Sequence, residues 1–259
     1  MAIIKNTEED FENRLRVEFI DESRDRLQKM YEALGRVAKK QIRETEVIAL
    51  LRSEAHNFKG VGTAFGYPAV SLVAHRMEDY MVGLTNLSER NISDAHIFLD
   101  RASQLIDRTE QPELAETNQI LRALPTRYVF EVKDVEVRNV EIMVVTPAKV
   151  VAKKVGTELA ACGFRPVTVH DPIESISLAV RVPPDMLIAS MVMDGLSGLD
   201  LIRGLRAMSV TRKVKMALLT SLDLDSAALK EIPEGVGVIR LGPKFSEDVA
   251  ALITKFNLG

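Results

Sequence analysis

The hydrophobic period of this chain changes once, near Pro125, and that change constrains what it can fold into more than any other feature. Before Pro125, apolar residues recur at the three- and four-residue spacing of amphipathic helices. The first pattern runs from Thr7 to about Gln41, with Phe11, Leu15, Phe19, Leu27, Tyr31 and Leu34 on one side. Glu44 to Phe65 predicts a second helix and Pro68 to about Asn86 a third, proline being suited to a first turn. A fourth is expected from Ser93 to about Thr109 after a polar Asn91-Ile92 entry, and a fifth from Pro112 to Leu124. Helices joined by short turns predict an up-and-down four-helix bundle over residues 1–124.

After residue 140 the pattern becomes strand and helix in turn. Strands are expected at Glu141 to Thr146, Arg165 to His170, Asp185 to Ser190, Val214 to Thr220 and Gly235 to Leu241. Helices are expected at Ala148 to Ala161, Ile173 to Val180, Gly198 to Met208, Asp225 to Ile232 and Glu247 to Phe256. This alternation predicts an α/β domain at 141–259, a doubly wound, flavodoxin-like sheet of five parallel strands. Residues 125–140 join the two, either as an extended linker or as two short strands, Tyr128 to Val132 and Val135 to Val137, around Lys133-Asp134.

Charge narrows the classes of function. The chain has 259 residues, 34 Lys and Arg against 37 Asp and Glu, and a net charge of -3. No basic excess points to nucleic acid, and no apolar run reaches the roughly 20 residues that cross a bilayer. Met1 to Asn6 carries no export signal and Cys162 has no second cysteine to pair with, so a reducing cytoplasm is the expected compartment.

The chemistry concentrates in Glu54 to Tyr67. At about 100° per residue, His56, Lys59, Gly60 and Thr63 share one sector of a helix, while Leu51, Phe58 and Phe65 repeat on the opposite side. In the third helix Val73, Met77, Tyr80 and Leu84 form an apolar stripe, with His75 and Glu78 on the other face. Antiparallel packing across the Gly66-Tyr67 turn brings Glu78 and His75 alongside His56 and Lys59. A carboxylate that accepts one imidazole N–H leaves the other ring nitrogen as a nucleophile, and an ammonium one turn along balances an incoming phosphoryl group. The residues therefore suit phosphoryl transfer to a histidine. The glycines at 60, 62 and 66 have the wrong spacing for a nucleotide loop and follow a helix rather than a strand. His96 and His170 lack such neighbours and read as surface or core groups.

His56-x-x-Lys59-Gly60, Thr63-Ala64-Phe65-Gly66-Tyr67 and His75-x-x-Glu78 resemble the histidine phosphotransfer (HPt) family, and in particular the phosphotransfer domain of chemotaxis histidine kinases. The resemblance covers roughly residues 10 to 110. It implies His56 as phospho-acceptor, Glu78 as its orienting carboxylate, Lys59 and His75 as supporting members, and Gly60 and Thr63 as the ground a partner must cover.

The second half is similar to the receiver domain of response regulators. The match lies in Pro184 to Ser190, in Gly195-Leu196-Ser197-Gly198-Leu199-Asp200 and in Thr220. It departs where receivers do their chemistry. Thr146-Pro147 replaces an acidic pair, Ser190 replaces the acceptor aspartate, and Pro243-Lys244 inverts a Lys-Pro order. Magnesium prefers anionic oxygens, so a receiver's shape without its site is expected. Asp185 and Asp194 read as capping or solvated groups.

Together these resemblances imply a cytoplasmic phosphorelay intermediate. His56 would exchange a phosphoryl group with the aspartate of a separate response-regulator receiver, or take it from a histidine kinase. The chain would carry no cofactor of its own, with magnesium on the partner receiver. No ATP site is recognisable, so a self-contained kinase is not expected. The alternative is a non-catalytic scaffold or sequestering regulator of a two-component partner. Self-association of the second domain through Leu224 to Phe256 is a further expectation.

Overall fold

The computed structural model describes residues 2–126, 138–223 and 225–258, with side chains from residue 14 onward. The expected strands at Tyr128 to Val132 and Val135 to Val137 lie outside these residues. The chain divides into two compact units, Met1–Pro125 and Thr126–Gly259.

Five helices make up the first unit: α1 (Ala2–Ala38), α2 (Glu44–Val61), α3 (Pro68–Met81), α4 (Glu89–Ile106) and α5 (Leu114–Arg122). α1 packs on α2 and α4, and α3 packs on α2, α4 and α5, which is the ring of contacts of a four-helix bundle with one short helix added. Leu27, Met30 and Leu34 of α1 meet a core that includes Leu51 and Phe58 of α2 and Phe98 and Leu99 of α4. Burying each such side chain stabilises the fold by about 1.5–3 kcal/mol before the entropy of ordering it is counted.

Helix ends differ from expectation where local chemistry overrides period. α2 stops at Val61 rather than Phe65, because the chain turns at 62–66 and the Tyr67 N–H donates to the Gly62 carbonyl at 2.8 Å. α3 stops at Met81 rather than near Asn86, since Gly83 takes a left-handed φ of 72° that unwinds the helix there. α4 begins at Glu89 rather than Ser93. Ser88 and Asn91 cap each other's backbone N–H groups in a reciprocal box, fixing the start one turn early.

Among the described residues the second unit holds one sheet of five parallel strands: β1 (Glu141–Val145), β2 (Arg165–Val169), β3 (Met186–Ser190), β4 (Lys215–Thr220) and β5 (Gly237–Arg240). Their order is β2-β1-β3-β4-β5, the flavodoxin-like arrangement. The helices are α6 (Lys149–Ala161), α7 (Pro172–Arg181), α8 (Gly198–Ala207) and α9 (Phe245–Phe256). Alternation along β1 sorts the core into two layers. Ile142 and Val144 pack with Val155, Leu159, Phe245 and Val249 of α6 and α9. Met143 and Val145 pack with Leu201, Ile202 and Leu205 of α8 and Ala179 of α7. The helix expected at Asp225 to Ile232 is instead a 3₁₀ turn, Ala227–Glu231. Only Leu229 of that turn is buried, and Pro233 follows at once, so little apolar contact supports a longer helix.

Among the described residues no helix is long and apolar enough to cross a membrane.

Candidate functional site

Two adjoining helices build the site. α3 returns along α2 after a turn of six residues, 62–67, and this turn is held on α1 by stacked rings. The Phe19 and Phe65 centroids lie 4.9 Å apart with planes 8° from parallel, and Tyr67 is fully buried beside Phe19. Phe65 thus lies beyond the α2 helix and does not continue the Leu51–Phe58 stripe. Ser71 of α3 donates its hydroxyl to the Lys59 carbonyl at 2.7 Å, satisfying an acceptor near the end of α2. Arg26 of α1 bonds Glu54 of α2 at 2.8 Å, which fixes the helix just before His56.

Glu78 is the centre of the cluster. Its Oε1 lies 3.1 Å from His56 Nδ1 and its Oε2 accepts from Lys59 Nζ at 3.2 Å. Its side chain is 22 % exposed and Lys59's 27 %, whereas His56's is 71 % exposed. Burial by itself would push the Glu78 carboxyl up. The hydrogen bonds from His56 and Lys59 and the Lys59 charge outweigh it, and hold the carboxyl below its ordinary value. An ionised carboxylate can only accept, so Nδ1 carries the ring proton and Nε2 carries the lone pair. The arrangement is a solvent-exposed imidazole with a fixed tautomer and a cation one helical turn away.

Gly60 and Thr63 are exposed, as their sector on the sequence implies, although Thr63 sits in the turn and not in the helix. A Cβ at Gly60 would meet nothing within 4 Å. Two residues on, a Cβ at Gly62 would come within 3.0 Å of the Phe58 carbonyl oxygen and 3.1 Å of both the Ser71 nitrogen and the Tyr67 oxygen. One glycine leaves the surface open, and the other lets the turn pass close to α2. A groove of about 420 Å³ between α1 and α2, lined by Leu15, Phe19, Phe58, Val61 and Phe65, runs along the flank of α2 that carries Asn57.

His75 occupies a different environment from the one its spacing suggests. Its side chain is only 7 % exposed, and its Nδ1 lies 3.4 Å from Asp79 Oδ2, one turn along the same helix. The reason is that α3 is enclosed on most sides: Ala69, Val70, Leu72, Val73, Ala74, Met77, Tyr80 and Met81 are all buried with it. The polar face expected of α3 narrows to Glu78 and its neighbours at the rim.

At the carboxyl end of the sheet, Thr146 and Ser190 stand at the ends of β1 and β3, both buried. Thr220 ends β4, its hydroxyl 3.4 Å from Met191 Sδ and accepting the Leu222 N–H at 3.1 Å. These neutral hydroxyls do not fit magnesium, which takes carboxylates. Among the described residues no group of three or more His, Cys, Asp or Glu converges to hold a metal. Asp185 lies at the opposite end of the strands, where its Oδ2 accepts the Glu141 N–H at 2.8 Å. Asp194 is exposed. Lys244 is exposed just before α9, and the basic residue that makes contacts at the end of β5 is Arg240, forked onto Asp248 at 2.6 and 2.8 Å. That pair follows no signal in the loop and joins β5 to α9.

Residues 14–112 match the family model of the Hpt domain. No match was found among the curated proteins. Solved structures similar to the chain include the chemotaxis protein CheY4 of Vibrio cholerae, at 18% identity and TM-score 0.41, covering 45% of this chain and 98% of that one. The receiver domain of sensor histidine kinase PA1611 from Pseudomonas aeruginosa has 22% identity and TM-score 0.41, covering 45% and 97%. The N-terminal domain of a response regulator receiver protein from Methanoculleus marisnigri has 20% identity and TM-score 0.34, covering 44% and 94%. The fold of residues 141–258 rests on its strand order and parallel register rather than on these similarities. The chain therefore carries an Hpt domain at residues 14–112, followed by a domain of receiver-like fold.

Proposed function

We propose that this protein is a phosphorelay intermediate that carries a phosphoryl group on His56. Nε2 attacks the phosphorus of an aspartyl phosphate on a separate receiver. The P–N bond forms as the P–O bond breaks, and the receiver carboxylate leaves with the electron pair. No proton needs to move. Nδ1 keeps its hydrogen bond to Glu78, whose charge balances the positive charge gained by the ring, while Lys59 balances the phosphoryl oxygens. The reverse sequence passes the group on. Magnesium belongs to the partner receiver, and a histidine kinase is the other partner class that an Hpt domain implies. His75, buried on α3 with its Nδ1 3.4 Å from Asp79 Oδ2, would support the cluster from beneath.

The observation that carries this reading is Glu78 bonded at once to His56 Nδ1 and Lys59 Nζ, with the ring otherwise open to solvent. A scaffold that never transfers phosphate has no need of that arrangement. The test is incubation of the full chain with a phosphorylated receiver, followed by mapping of acid-labile phosphate. Label on His56 supports the reading, whereas stable binding with no label on either protein's histidine would replace it with the scaffold.

A further inference from the structure

Charge is unevenly placed in the receiver-like domain. From Leu201 to Leu222 the chain holds Arg203, Arg206, Arg212, Lys213 and Lys215 and no Asp or Glu, although over all 259 residues acids outnumber bases, 37 to 34. Two of these cations are engaged. Arg203 reaches Asp200 and Glu231, each at 3.4 Å, and Arg206 donates to the Glu234 carbonyl at 2.6 Å, so both tie α8 to the segment that follows the 3₁₀ turn. Arg212, Lys213 and Lys215 lie on the connection from α8 into β4, at the amino end of the sheet, and all three are exposed. Among the described residues their side chains make no hydrogen bond or ion pair.

The connection is a fixed turn. Thr211 is fully buried and donates its hydroxyl to the Leu205 carbonyl at 2.5 Å, satisfying an acceptor near the end of α8. The Arg212 N–H donates to the Met208 carbonyl at 2.9 Å, and the Val214 N–H to the Thr211 carbonyl at 3.0 Å. With Thr211 inside, the same turn leaves Arg212, Lys213 and a 49% exposed Val210 outside. Asp185, which precedes the register partner of Lys215, already accepts the Glu141 N–H through Oδ2. Like charges so close in one rigid turn repel one another, and an anion laid against them relieves that repulsion.

We propose that the turn between α8 and β4 docks a short acidic segment of a partner protein, whose carboxylates meet Arg212, Lys213 and Lys215 and whose apolar residue covers Val210. Charge elsewhere in the chain favours a short segment over an extended polyanion. Outside residues 201–222 acids exceed bases by more than the net charge of -3 shows, so nucleic acid or an anionic bilayer would also face a repelling surface. A short segment meets the turn alone. This inference stands apart from the His56 chemistry and survives its failure.

The test uses the full chain and two synthetic peptides, one with glutamates around a central Leu-Leu pair and one with glutamines in their place. Fluorescence anisotropy at low salt should show binding of the glutamate peptide and not of the glutamine peptide. Arg212→Gln with Lys213→Gln should weaken binding about tenfold and flatten its salt dependence. Val210→Ser should weaken it about threefold without touching charge. Lys149→Gln with Lys153→Gln removes as much charge from exposed positions on α6 and should leave binding unchanged. Thermal unfolding should be the same in all of these variants, since the substituted side chains stand in solvent. Absence of glutamate-peptide binding, binding indifferent to the substitutions at 212 and 213 or at 210, or an equal loss from the α6 substitutions overturns the proposal. So does tighter binding of a thymidine oligonucleotide, or of phosphatidylcholine vesicles containing phosphatidylserine, that Arg212→Gln with Lys213→Gln abolishes, which would assign the turn to nucleic acid or lipid.

Discussion

The two halves of this chain place polar groups at corresponding strategic points and treat them in opposite ways. At the rim of the bundle, one carboxylate is held ionised by two partners beside an exposed imidazole. At the carboxyl end of the sheet, Thr146 follows β1, and β3 and β4 end in Ser190 and Thr220, all buried hydroxyls without charge. Yet both regions have closed cores: Leu51 and Phe98 in the bundle and Leu187, Val144 and Leu218 in the sheet are all shut off from solvent. Packing and chemistry are therefore separable. A fold is held by its apolar layers, and a site depends on a few charged groups whose loss those layers do not register.

The largest effect expected from that contrast is all or none. His56→Gln should abolish labelling by a phosphorylated receiver or kinase, leaving the bundle folded because the side chain is mostly in solvent. In the same variant, acetyl phosphate with magnesium should leave the receiver-like domain unlabelled, since Ser190 forms no acyl phosphate. Phosphate detected on that domain would erase the distinction between the halves.

Gly60 and Gly62 sharpen the contrast within seven residues of His56. Gly60→Arg adds bulk only on the open face, so transfer should fall by about a hundredfold while the melting temperature holds. Gly62→Ala should do the reverse. Its Cβ presses on the Phe58 and Tyr67 backbones, costing about 1–3 kcal/mol of stability, with transfer by the folded fraction little changed. Stopped-flow transfer and thermal melts on both variants decide it. A Gly60→Arg protein with normal transfer means that the partner approaches from another side.

How much of this was legible depends on whether the determinant is local. His56, Lys59 and Gly60 share a face because of helix geometry alone, and the strand-helix alternation beyond residue 140 needs only periodicity. Asp185 as a capping or solvated group was likewise readable from its place at the far end of its strand, and its carboxylate accepts the Glu141 N–H. The burial of His75 was not, because a stripe of Val73, Met77 and Tyr80 looks the same whether Val70, Leu72 and Ala74 face solvent or a further helix. Helix ends failed where glycine or a cap outweighed period, as at Gly83 and at Ser88-x-x-Asn91, whose asparagine stands in place of the usual glutamate.

Orienting groups should matter less than the nucleophile. Glu78→Gln can still accept one hydrogen bond from Nδ1 but no longer balances the ring's charge, so transfer should slow about tenfold to a hundredfold. Lys59→Met, which removes a cation 27 % exposed, should cost severalfold, in keeping with about 1 kcal/mol for a solvent-screened charge. Single-turnover rates at saturating partner separate these losses from weaker binding. A Glu78→Gln protein as fast as the wild type would mean that the ring needs no orientation, and that the cluster is a surface ion pair like many others.

The smallest effect is on stability and its pH dependence. The Glu78 carboxyl is held below its ordinary value, against its burial, by His56 and Lys59. A carboxyl whose folded value lies below its unfolded one contributes stability that is fully present above the unfolded value. That contribution is lost as pH falls through the folded value. Near neutrality the wild type should therefore be more stable than Glu78→Gln by ~1 kcal/mol or less, the range of partly exposed pairs. The gap should close on acidification through and below the ordinary carboxylate range. Lys59, His75 and Asp79 are common to both proteins, so the difference between their melting curves isolates Glu78. At the sheet's carboxyl end no such increment is expected, because Thr146 and Ser190 carry no charge to lose: Ser190→Ala should shift stability by an amount independent of pH. Thermal melts of the three proteins between pH 7 and pH 3 measure all of this. A Glu78→Gln gap that stayed constant to pH 3 would mean that the carboxylate is not held by its neighbours, and the bundle's site would then resemble the sheet's end more than the distances suggest.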